Sequence, residues 1–78
     1  MAFKYEPKEK KKAKVDRLMR FIRDKTGVSR GVAEDIADAL VRGREVERLA
    51  LQKGWPIDGG VIIGPQGELD VTKVKAEL

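Results

Sequence analysis

RGVAEDIADALVRGREVERLALQKG, residues 30–54, is the stretch that decides the fold, because it reads either as one long helix or as two short ones. At ~100° per residue, Val32, Ile36 and Leu40 share one face. Continuing the same helix would put Val46 and Leu49 roughly 80° and 140° away from Ile36. The apolar stripe loses phase at Arg42-Gly43, and Gly43 is the weakest helix former in the run. Both observations predict a break: a helix over Arg30 to Val41, a tight turn over Val41 to Gly43, and a further helix from Arg44 to Lys53 that stops at Gly54.

Outward from this pair the signals remain local. Upstream, nothing interrupts a helix between Lys8 and Gly27, and Val15, Leu18, Met19 and Ile22 fall at i, i+3, i+4 and i+7. Lys10, Arg17, Arg20 and Asp24 lie off that stripe, so the reading is an amphipathic first helix with a basic outer face. Ser29 is positioned to N-cap the second helix, with Glu34 and Asp35 in or near its first turns. Downstream, Trp55-Pro56 ends the third helix, with Trp55 expected to cover the core at that exit. Val61-Ile62-Ile63 and Glu68-Leu69-Asp70-Val71 flank the turn Gly64-Pro65-Gln66-Gly67, which reads as a two-stranded hairpin. Asp70 is then expected to cap a short final helix carrying Val71, Val74 and Leu78. No internal repeat is present.

Composition bounds the chemistry. The 78 residues contain 17 Lys+Arg, 13 Asp+Glu, and neither histidine nor cysteine. That length suits one domain. Without His or Cys there is no imidazole acid/base, no thiolate nucleophile, no Cys/His zinc site and no disulfide. Neither a catalytic site, a metal nor a cofactor is expected, and acid pairs such as Glu34/Asp35 and Glu45/Glu47 read as solvated helix faces. Gly59-Gly60 and the Gly64 to Gly67 turn lack the Gly-Lys-Ser/Thr of a phosphate loop. A small secreted domain usually carries disulfide staples, so their absence points to an intracellular, cytoplasmic home. No run approaches the ~18 apolar residues of a membrane span.

The net charge of +4 is concentrated at one end. Residues 1–26 carry ten Lys/Arg against four acids, residues 27–54 are balanced, and residues 55–78 carry two Lys against four acids. A basic front end of this kind suits a polyanion. We therefore divide the chain into a flexible basic leader, residues 1–12, and a domain, residues 13–78.

A helix, a short turn, a second helix and a hairpin are the ingredients of a winged helix-turn-helix, in a fold that is mainly α: three helices, a two-stranded wing and a short C-terminal helix. In that arrangement one helix braces another in the DNA major groove, where each base pair displays its own donor and acceptor pattern. With Val46, Leu49 and Ala50 turned to the core, Arg44, Glu45, Arg48 and Gln52 are candidates to reach base edges. Arg42 and Lys53 lie at the helix ends for phosphates. Lys8, Lys10, Lys11, Lys12, Arg17 and Arg20 are candidates for further backbone contacts.

Ile36-Ala37-Asp38-Ala39-Leu40, Arg44-Glu45-Val46-Glu47-Arg48-Leu49, Gly54-Trp55-Pro56-Ile57 and Gly67-Glu68-Leu69-Asp70 together resemble the DNA-binding winged helix of phage terminase small subunits. Excisionases and MerR-type regulators have a similar arrangement. The likeness spans about residues 32–78. It implies double-stranded DNA binding, most like recognition of a packaging-start sequence on viral DNA before handover to the large ATPase subunit, with excision or transcription control as alternatives. This chain departs from the pattern in a turn one residue shorter than usual, with Val41 at the usual small position, and in a wing tip, Pro65-Gln66, without Lys or Arg. The basic front end is additional to the pattern.

A different class of reading is a small interaction or assembly module, since a core of this size often gains stability by association, and a homo-oligomer or larger assembly is expected. A membrane-surface role for the first helix is weaker, because its apolar face is narrow and Phe21 is the one aromatic beside it.

Overall fold

The computed structural model describes residues 8–78, with side chains from Lys11 onward, and places helix ends at residues suited to end them. Among the described residues there are four helices, α1 (Lys8–Thr26), α2 (Arg30–Val41), α3 (Val46–Lys53) and α4 (Val71–Lys75). Three strands, β1 (Ile57–Asp58), β2 (Val61–Gly64) and β3 (Gly67–Asp70), lie between α3 and α4. The mainly helical fold with a β-hairpin is as expected, and a third strand is added to it.

α2 has the expected limits. Ser29 is its N-cap, the Oγ accepting from the Val32 N–H at 3.4 Å. Glu34 and Asp35 fall in its second turn, beyond the strongest pull of the helix dipole. At the other end Arg44 N–H donates to Ala39 O at 2.8 Å and Gly43 N–H to Leu40 O at 3.1 Å. These two bonds are the Schellman pattern, which requires a left-handed residue at Gly43, and its φ is +70°. The loss of phase read at Arg42-Gly43 is this turn. One boundary moves: α3 begins at Val46 rather than Arg44, because Arg44 is spent closing the turn and Glu45 is extended (φ −76°, ψ 99°).

The expected leader boundary also moves. Lys8 to Lys12 form the first turns of α1, in a run of good helix formers without Gly or Pro until Gly27. Residues 1–7 of that leader, and the side chains of Lys8 and Lys10, lie outside the described residues.

α1 and α2 make the most extensive packing in the molecule. Leu18 and Ile22 of α1 and Ala33, Ile36 and Ala37 of α2 are fully buried, with Met19 beside them and Val15 packed at the margin. The sheet has the order β1-β2-β3, antiparallel throughout. Its Ile62 and Leu69 are directly opposed and face the core, as does Val74 of α4. Trp55 is buried at the exit of α3, as expected. β1 exists because Gly59 and Gly60 both have positive φ (59° and 76°), which lets a two-residue turn join Asp58 to Val61. Asp70 caps α4, its Oδ1 accepting from Thr72 N–H at 2.9 Å and Thr72 Oγ1–H at 2.8 Å. α4 ends at Lys75, so Leu78 lies past the helix and is exposed, unlike the buried Val71 and Val74.

The hairpin tip is fastened to the end of α1. Gln66 N–H donates to Thr26 O at 2.9 Å. Thr26 is fully buried, its Oγ1–H donating to Ile22 O at 2.7 Å and its Oγ1 accepting from Val28 N–H at 3.3 Å. Gly64 lies so close to the Thr26 carbonyl that no side chain fits between them.

Candidate nucleic-acid interface

α3 is held by few side chains, and this determines what it can present. Val46 and Ala50 are buried and Leu49 is half-buried. With Val46 as the zero of a ~100° per residue wheel, Ala50 lies ~40° to one side and Leu49 ~60° to the other. Glu47, Leu51, Arg48 and Gln52 then fall at ~100°, ~140°, ~200° and ~240°, around the side opposite the core. All four are exposed. Arg44 and Glu45, just ahead of the helix, are exposed as well.

Arg44, Glu45, Arg48 and Gln52 thus share α3 or its entry, and Arg48 and Gln52 are neighbours on its outward side. Lys53 does not join them. It falls ~20° from Val46, on the core side of the wheel, and reaches out at the end of the helix with its Nζ 5.9 Å from the Trp55 ring centre. Arg42 ends α2, where its Nε donates to both carboxylate oxygens of Asp38 at 3.0 and 3.1 Å. Arg48 and Glu45 approach only to 3.9 Å, and Arg44 has no ion-pair partner among the described residues. Exposed pairs of this kind contribute little to stability, but they rank the cations by availability to a phosphate or base. Arg44 and Arg48 are freer than Arg42.

The α1 candidates lie on a separate element. Lys11 and Lys12 are exposed near its start. Arg17 Nη2 donates to Glu77 O at 3.1 Å, and Arg20 pairs with Asp16 at 3.2 Å. Arg23, which pattern reading left aside, is also exposed on α1.

The hairpin is poorly suited to phosphate. Residues opposed in an antiparallel pair share a face, so the register puts Asp58, Val61 and Asp70 in one outward row and Ile63 with Glu68 in the next. Three carboxylates therefore surround two apolar side chains. Asp70 is held below the ordinary carboxylate range, chiefly by the Thr72 N–H and then by its hydroxyl, so its charge persists at neutral pH. The tip is docked on α1 at Thr26.

A groove of about 520 Å³ separates the start of α3 from the Gly59-Gly60 turn and the start of α4. Arg44 and Lys75 line it together with Glu45, Glu47 and Asp70, a mixture that selects neither anion nor cation. Among the described residues no group of three or more carboxylates is arranged to hold a metal ion, and no helix is long and apolar enough to cross a membrane.

Pattern reading missed Leu51. Among the described residues it is the most exposed of the large apolar side chains, at 88 %. Its spacing carried the signal, since five residues from Val46 is ~140° of helix. Comparison with family models, curated proteins and solved structures returns no match to this chain.

Proposed function

We propose that the chain binds double-stranded DNA, with α3 entering the major groove and α2 bracing it. The observation that carries this reading is the mounting of α3. A tight Schellman turn joins it to α2, two small apolar residues anchor it, and its outward side holds Arg48 and Gln52 with Arg44 at the entry. Arginine pairs with guanine and glutamine with adenine through two parallel hydrogen bonds, which is the chemistry of base recognition. The lysines at the start of α1 add charge for the phosphate backbone. Of the roles that the family resemblance offers, marking viral DNA for packaging is the one we prefer, with excision and transcription control behind it.

A mobility-shift titration at two salt concentrations tests the reading. Duplex binding that weakens steeply with salt is expected, and absence of duplex binding at low salt overturns it. One observation favours a second reading, assembly with protein: the outward hairpin face, where Val61 and Ile63 sit among three carboxylates. Sedimentation that reports a tight oligomer without salt-sensitive DNA affinity supports that alternative.

A further inference from the structure

We propose that Leu51 is the apolar base contact of this interface and takes the C5-methyl group of a thymine in the major groove. The inference rests on the DNA reading above and adds to it one element of the sequence that is read.

Folding leaves Leu51 88 % exposed, although α3 buries Val46 and Ala50 almost completely. A fully exposed leucine forgoes most of the gain available from burying its side chain. Its surroundings on the helix decide what can recover that gain. Glu47, one turn before it, Arg48 at i−3 and Gln52 next in sequence are all exposed and polar. On its own helix, therefore, Leu51 is a single apolar point within a polar field.

Contiguous apolar patches of a few hundred Å² mark protein contact surfaces, and α3 turns outward only this one large apolar side chain. A thymine methyl is the complement of a single aliphatic side chain, and it is the one apolar group a base pair displays in the major groove. The flanking residues suit the neighbouring positions: Arg48 for a guanine, Gln52 for an adenine. The bound site is accordingly expected to combine a G·C pair with an adjacent A·T pair whose thymine methyl meets Leu51.

The test begins by selecting bound duplexes from a random library. Each thymine of the selected sequence is then replaced singly by deoxyuridine, which keeps every hydrogen-bonding group and removes only the methyl. For the wild-type protein, one position should lose affinity by about fourfold, the value of one buried methyl-sized group. Leu51→Ala should bind the thymine and deoxyuridine duplexes equally, and an unchanged circular dichroism melt should show that it remains folded. If selection yields no duplex, the DNA reading falls and this inference with it. A selected duplex that is indifferent to every deoxyuridine, or a Leu51→Ala protein that still discriminates, overturns the inference alone. Loss of self-association in Leu51→Ala with discrimination intact makes Leu51 a protein contact, and overturns it too.

Discussion

Gly64→Ala separates packing at the hairpin tip from every local propensity. Gly64 ends β2 without a positive φ, so alanine meets no left-handed strain there. An added Cβ would lie 2.1 Å from Thr26 O, 2.7 Å from Thr26 C and 2.8 Å from Thr26 Cβ. Ordinary carbon–oxygen approach is about 3.3 Å or more, so the tip must retreat by roughly 1 Å. The Thr26 carbonyl that is crowded is also the acceptor for Gln66 N–H, at 2.9 Å, and retreat breaks that bond. Overpacking of this kind costs about 1–3 kcal/mol, and the hydrogen bond adds about 1 kcal/mol. The expected loss is ~2–4 kcal/mol, a large share of the ~4–12 kcal/mol available to a domain of this size. Gly31→Ala provides the control, since Gly31 is exposed in α2 with nothing within 4 Å of an added Cβ. It should be neutral or stabilise by about 0.5 kcal/mol. Urea unfolding followed by far-UV circular dichroism measures both. A Gly64→Ala protein within about 0.5 kcal/mol of wild type would refute the docked tip and the reasoning built on it.

Asp70→Ala should lower the melting temperature at neutral pH by removing both bonds from Thr72. The Asp70 carboxyl titrates below its ordinary value when folded, so its contribution is present above the unfolded pKa and is lost as pH falls through the folded one. The gap between the two proteins should therefore narrow on acidification, and a gap that widens counts against the cap. Arg44→Ala and Arg48→Ala should each weaken binding to a selected duplex by about 1–3 kcal/mol, with less effect from Arg42→Ala because Asp38 already holds that guanidinium. Replacing Lys8, Lys10, Lys11 and Lys12 together should instead weaken binding to all sequences and flatten its salt dependence, by ~0.9 in slope for each phosphate that the lysines no longer neutralise. Anisotropy titrations at several salt concentrations distinguish these outcomes. Equal losses from all three arginines would contradict the ranking drawn from their ion pairs.

What pattern reading recovered is what is encoded locally. The end of α2 was legible because a glycine and a break in apolar phase coincide at Arg42-Gly43. Ser29 and Asp70 were legible as caps, since a side-chain acceptor at the start of a helix acts on backbone two or three residues away. β1 was not recognised, although Asp58-Gly59-Gly60-Val61 carries the signal of a two-residue turn, because the strand itself is only Ile57–Asp58. Docking of the Gly64 to Gly67 tip on Thr26 had no local signature: it joins residues far apart in sequence and depends on the space beside Gly64. The same holds for the interface. The polar residues of α3 and the outward position of Leu51 follow from helical spacing, whereas the coupling of Arg42 to Asp38 and the approach of Lys53 to Trp55 became visible only once each helix was set against its neighbours.

The central claim, that the outward side of α3 meets duplex DNA, is tested most directly by mapping amide chemical-shift changes as a selected duplex is titrated into labelled protein. The largest changes are expected from Arg44 to Lys53, with smaller ones near the start of α1 and little along the outward hairpin row of Asp58, Val61 and Asp70. Changes centred on that hairpin row, with α3 unaffected, would contradict the claim.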